Sequence, residues 1–84
     1  MKCYTVAAQN YQSPKISVEY PGLSITEAKL VCSILTDSFR NVDCNNDLTG
    51  ESMFNHYVSE DFFTPLATIP ETLKTVEDAL NGKY

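Results

Sequence analysis

Tryptophan is absent from this chain of 84 residues, and histidine occurs once, at His56. A single imidazole excludes a multi-histidine metal centre within one chain. The three glycines, Gly22, Gly50 and Gly82, stand apart from one another. No glycine-rich loop is therefore present to cradle a phosphate, and no Gly-x-Ser-x-Gly elbow to present a nucleophile. Apolar runs fall far short of the roughly 18 residues that a membrane-spanning helix needs. Cations are scarce as well: 6 Lys and Arg stand against 11 Asp and Glu, a net charge of -5. They are scattered along the chain, whereas a phosphate-gripping protein concentrates them in a basic patch. Direct binding to nucleic acid or to an anionic membrane is not expected, and an acidic surface favours a basic protein as partner.

Cysteine is sparse and poorly spaced for a staple or a metal. Cys3, Cys32 and Cys44 are odd in number, lie 29 and 12 positions apart, and include no Cys-x-x-Cys pair. The opening Met1-Lys2-Cys3-Tyr4-Thr5 has one cation followed by alternation instead of the apolar core of a secretory signal, and no Asn-x-Ser/Thr acceptor occurs. These features lead us to expect a reduced, cytoplasmic setting.

What the chain does have is one domain's worth of patterning over residues 1–84, with 43% hydrophobic and 20% charged residues. Tyr4, Val6 and Ala8 alternate with Thr5 and Gln9, which predicts a half-buried strand. A polar loop from Asn10 to Pro14 precedes a second alternation at Ile16, Val18 and Tyr20, ended by Pro21-Gly22. Ser24-Ile25-Thr26-Glu27 has the spacing of a capping box, with Leu23 placed to staple against Ala28. Ala28, Val31, Cys32, Leu35 and Phe39, widened by Leu30 and Ile34, then form an apolar stripe for a helix over 25–39.

A second hairpin follows, with its turn at Asp47-Leu48-Thr49-Gly50. Its expected register sets Asp47 opposite Glu51, Cys44 opposite Phe54 and Val42 opposite His56, with the returning strand reaching about Val58. Phe62, Phe63 and Leu66 lie in a connection apolar enough to cover a sheet edge or the end of the core. Thr68-Ile69-Pro70-Glu71 repeats the capping spacing with proline in the first turn, where it is tolerated. Ile69, Leu73, Val76 and Leu80 make the second helical stripe, which Gly82 closes. The predicted fold is α+β: a two-layer sandwich of order ββαββα, in which two hairpins form a four-stranded sheet and two helices cover one face. If both hairpins share that sheet, the second and third strands run parallel.

Few residues offer chemistry. Asp43-x-Asn45-x-Asp47 imitates the start of a calcium loop, but Leu48 replaces the bend glycine and Phe54 the closing Glu. Alternation along a strand explains the same spacing. Cys44 and His56 share a predicted face, so a small Cys-dependent enzyme or redox sensor is an alternative reading. The ring of Phe54 beside the sulfur would nevertheless desolvate a thiolate and raise its pKa. Glu60 and Asp61 are adjacent and diverge, a poor acid–base couple. Enzymatic activity, a cofactor and a bound metal are therefore not expected.

Interaction remains. Met53 and Tyr57 are predicted on the outer face of the sheet with Asp43, Asn45 and Asn55, and Phe62 or Phe63 could add an aromatic anchor. The expected function is a non-catalytic regulatory protein that docks to another protein, or pairs with a second copy through a sheet edge. In character alone, small and acidic without a catalytic constellation, the chain resembles many proteins of phages and mobile elements. That likeness covers no motif. It implies an alternative reading as an inhibitor of a host nucleic-acid enzyme, comparable to an anti-CRISPR protein, with an acidic surface set against a basic groove.

Overall fold

A computed structural model describes residues 1–10 and 15–83. The elements are β1 (Tyr4–Asn10), β2 (Ile16–Leu23), α1 (Ile25–Leu35), β3 (Asn41–Asn46), β4 (Ser52–Tyr57) and α2 (Ile69–Leu80), with a short 3-10 turn at Glu60–Phe62. The four strands form one sheet in the order β2-β1-β3-β4, every neighbouring pair antiparallel. Because β2 and β3 are both antiparallel to β1, they run parallel to each other with β1 between them. The fold is thus the expected α+β arrangement in the expected element order. The predicted loop from Asn10 to Pro14 falls at 11–14 outside the described residues, and Asn10 itself belongs to β1.

Two strand boundaries differ from the pattern. Strand β2 does not end at Pro21-Gly22 but continues to Leu23, which pairs with Tyr4 while Tyr20 pairs with Val6. Pro21 and Gly22 together thus oppose Thr5, a bulge that Gly22 permits by adopting φ +68°. A proline is tolerated here because β2 is an edge strand. In the second hairpin, Cys44 faces Phe54 and Val42 faces His56 as predicted. The turn, however, closes on Asn46 and not on Asp47: the Asn46 N–H donates to the Glu51 carbonyl at 2.9 Å, and the Gly50 N–H to the Asn46 carbonyl at 2.8 Å. Asn45 then pairs with Ser52, and Met53 becomes the extra residue of a bulge that restores the register at Cys44–Phe54.

The first helix stops at Leu35 and not at 39. The Asp37 and Ser38 N–H groups turn back onto the Ile34 and Leu35 carbonyls, both at 3.1 Å, tightening the chain out of the α-helix. Asn10 holds this turn from the end of β1: its side chain donates to the Ser38 carbonyl and accepts from the Arg40 N–H. Phe39 still reaches the core, where it is fully buried with Val6, Val31, Leu35, Val42 and Val76.

Both capping boxes are present. The Glu27 N–H donates to Ser24 Oγ at 3.1 Å, and the Ser24 N–H to the Glu27 carboxylate at 2.9 Å. Thr68 and Glu71 repeat the exchange at 3.2 Å in each direction. The Ser38 hydroxyl fastens the start of α2 to the end of α1, donating to the carbonyls of Ala67 and Thr68 and hydrogen-bonding the buried hydroxyl of Thr72. Val76 enters the core while Ile69, Leu73 and Leu80 pack at its margin, as the stripe predicts.

Candidate functional site

The way the helices lie on the sheet leaves one strand uncovered. α1 packs on β1, β3 and β2, and α2 packs on α1. Neither helix packs against β4. A helix is about 10 Å wide and strands are about 4.8 Å apart, so each helix covers roughly two strands. With α1 centred near β1 and reaching β2 and β3, and α2 stacked on α1, the inner face of β4 has no helix above it.

The result is a groove of about 400 Å³ between α1 and β4. Its β4 wall is Met53, Phe54 and His56; its α1 wall includes Ile25, Ala28, Lys29 and Cys32; Cys44 of β3 contributes to the floor. The lining is predominantly apolar, with Lys29 its one cationic side chain. The Phe54 and His56 rings are stacked, their centroids 6.2 Å apart and their planes within 10°. Phe54 remains 39% exposed and Met53 46% exposed. These large apolar groups therefore face solvent on a side of the sheet that elsewhere is core.

The expected interaction residues do not form one patch. Asp43 and Asn55 oppose each other across β3 and β4, and Asn45 and Tyr57 share their face by alternation, which keeps these four on the outer side as predicted. Met53 does not join them. The bulge breaks the two-residue alternation, and Met53 lines the inner groove with Phe54. The connection after β4 differs from expectation too: Phe62 and Leu66 cover neither an edge nor the core, being 82% and 80% exposed. The Glu60–Phe62 turn points Phe62 away, whereas Phe63 is half-buried in a recess with Ser38, Ala67 and Ile69.

The thiols on the groove floor are held neutral. Burial, with the neighbouring Cys44 adding to it, pushes the Cys32 thiol up to about 12. Burial likewise raises Cys44, in the direction expected from its apolar surroundings. The Cys32 thiol of α1 meets Cys44 across the groove, a pairing between residues 12 positions apart. Asp47 of the calcium-like spacing accepts a hydrogen bond from Thr5 Oγ1 at 2.7 Å. Among the described residues, no group of three His, Cys, Asp or Glu side chains is arranged to hold a metal ion. The same residues contain no helix long and apolar enough to cross a membrane.

Arg40 is a residue whose role sequence reasoning missed. It is 5% exposed, and neither ion pair among the described residues includes it. Its Nε donates to the Val58 carbonyl at 3.0 Å, its own carbonyl accepts from the Val58 N–H at 2.9 Å, and its guanidinium lies 5.8 Å from the centre of the Tyr57 ring. Arg40 thereby pins the end of β4 and orients Tyr57. The α1 wall was also missed, although its signal was present: Ile25, Lys29, Cys32 and Thr36 recur at helical spacing beside the main stripe.

Compared with known proteins, the chain matches no family model, no curated protein and no solved structure, so a functional reading rests on the chemistry of the site.

Proposed function

We propose that this is a non-catalytic protein that acts in the cytoplasm by docking to another protein, through the α1–β4 groove and the open edge beside it. The observation that carries this reading is the uncovered inner face of β4. A face built from Met53, Phe54 and His56 that opens into an apolar groove gains from burial against a partner. Aromatic and methionine side chains at its centre are the residue types enriched where proteins dock. The net charge of -5 lies outside this apolar lining and suits a partner whose surroundings are basic. The raised Cys32 and Cys44 pKa values support the non-catalytic part, because a neutral, desolvated thiol is a poor nucleophile.

Photo-crosslinking tests the reading. A photoreactive residue in place of Met53 or Tyr57 is expected to form protein–protein adducts in the cells that make this protein. The same residue at Lys74, on the exposed side of α2, is expected to form none. Adducts from Lys74 alone, or from no position, would remove the proposal. Adducts at Met53 that survive high salt would identify apolar burial, and not charge, as the source of affinity.

A further inference from the structure

We infer that β4 pairs antiparallel with β4 of a second copy, joining two four-stranded sheets into one of eight strands. This rests on the docking reading of the same site and names the occupant of its open edge. The two edges of the sheet are built differently. β2 carries Glu19 and Pro21 within the strand, a charge and a missing donor of the kind that discourages pairing with another chain. Residues 52–58, Ser-Met-Phe-Asn-His-Tyr-Val, contain neither proline nor any of the chain's 6 cationic and 11 acidic side chains. Two bodies of charge -5 repel unless they meet where that charge is absent. The β4 edge is such a place, and a segment without charge pairs with itself without placing like charges opposite each other.

Backbone geometry gives the register. The Val58 N–H donates to the carbonyl of Arg40, just before β3, so in the alternating antiparallel pattern His56 and Phe54 spend their backbone groups on β3 and Val58 spends its own on Arg40. Asn55 and Tyr57 turn theirs to the free edge. The bulge at Met53 leaves 54–58 as the regular stretch, and a two-fold axis at His56 uses all of it. Asn55 then exchanges backbone hydrogen bonds with Tyr57 of the second copy, Tyr57 does so with Asn55, and the inner rows of Phe54 and His56 become continuous. The grooves of the two copies merge instead of closing. α1 packs most on β1 and reaches both of its neighbours, so it lies between two and two and a half strand spacings from the axis, and the paired α1 helices stand roughly 20–24 Å apart. That gap is wide enough for one helix of a docked protein, since packed helices lie about 8–10 Å apart. Self-pairing of the edge and docking in the groove are thus compatible.

The test is the mass of the full chain in solution. Sedimentation equilibrium is expected to give twice 9.4 kDa, and hydrogen exchange is expected to show the Asn55 and Tyr57 amides protected in the dimer. Asn55→Pro removes an edge-facing N–H that β3 does not use, and should raise the dissociation constant at least tenfold. Tyr57→Lys places a charge on the edge and should do the same should the proline variant fail to fold. A wild-type mass of 9.4 kDa up to millimolar concentration would overturn the inference, as would a dimer that both folded variants leave unchanged. A monomer that still crosslinks from Met53 to a different protein would end the self-pairing inference while leaving the docking reading intact. A monomer that crosslinks to nothing would end both.

Discussion

Gly50 shows how one residue closes the second hairpin. Its φ is +76°, and nothing lies within 4 Å of where a Cβ would stand, so the cost of any substitution there is conformational and not steric. A left-handed conformation costs an ordinary residue roughly 1–2 kcal/mol, and a β-branched residue more. Gly50→Val is therefore expected to lower stability by about 2 kcal/mol or more, and Gly50→Asn by less than half as much, measured by urea unfolding. Equal stability of the two variants would show that the turn does not hold this conformation in solution. Arg40 illustrates the opposite case, in which identity says little and position says much. An arginine after an apolar stripe reads as the exposed end of a helix, yet the turn at Asp37–Phe39 carries it inward to the backbone of Val58.

At the scale of an element, the helix starts are autonomous. Each capping box satisfies two backbone donors with side chains three residues apart, needing nothing from the rest of the fold. Ser24→Ala and Thr68→Ala are each expected to cost about 0.5–2 kcal/mol in thermal or urea melts. The same hydrogen bonds hold both glutamates below their usual 4.5. At Glu27 the Ser24 backbone N–H is the chief cause; at Glu71 it is the Thr68 hydroxyl, followed by the Thr68 N–H. A carboxylate with a lowered folded pKa contributes stability that is complete above its unfolded pKa and is lost as pH falls through the folded value. Melting temperature should therefore fall as pH drops below about 4.5, and the Glu27→Gln, Glu71→Gln double variant should fall less steeply. An identical acid limb in the two proteins would rule out these carboxylates as its source.

For the whole molecule, one core carries the fold while a second apolar face stays open, and the two should respond differently to truncation. Domains of this size have a total stability of about 4–13 kcal/mol. Phe39 is completely buried, so Phe39→Ala should cost about 3–5 kcal/mol and leave the protein near its unfolding threshold. Phe54 lines the groove and is 39% exposed, so Phe54→Ala should cost less than half as much while abolishing crosslinks from Met53. Comparable losses from the two variants would mean that the inner face of β4 is covered in solution.

Local rules explain what could be read from the residues in order. Alternation in 4–8 and 16–20, helical stripes at Ala28–Leu35 and Ile69–Leu80, and two capping boxes each depend on neighbours within about five positions. They therefore emerge from the one-dimensional string. The Cys44–Phe54 pairing was legible for the same reason, since a hairpin links residues through a short turn. The bulge that compensates for the longer turn was not legible, and with it went the side of the sheet on which Met53 lies. That choice balances turn geometry against keeping Phe54 and His56 on the same face as Cys44 and Val42, a comparison between elements. The strand order β2-β1-β3-β4, the inward path of Arg40 and the contact of Cys32 with Cys44 join residues far apart in sequence. The groove depends on the same long-range choice. Only Phe54 and His56 of its walls were legible as sharing a face with Cys44; the α1 wall and the side of Met53 were not, and the placing of the helices decided that one strand would go without a cover.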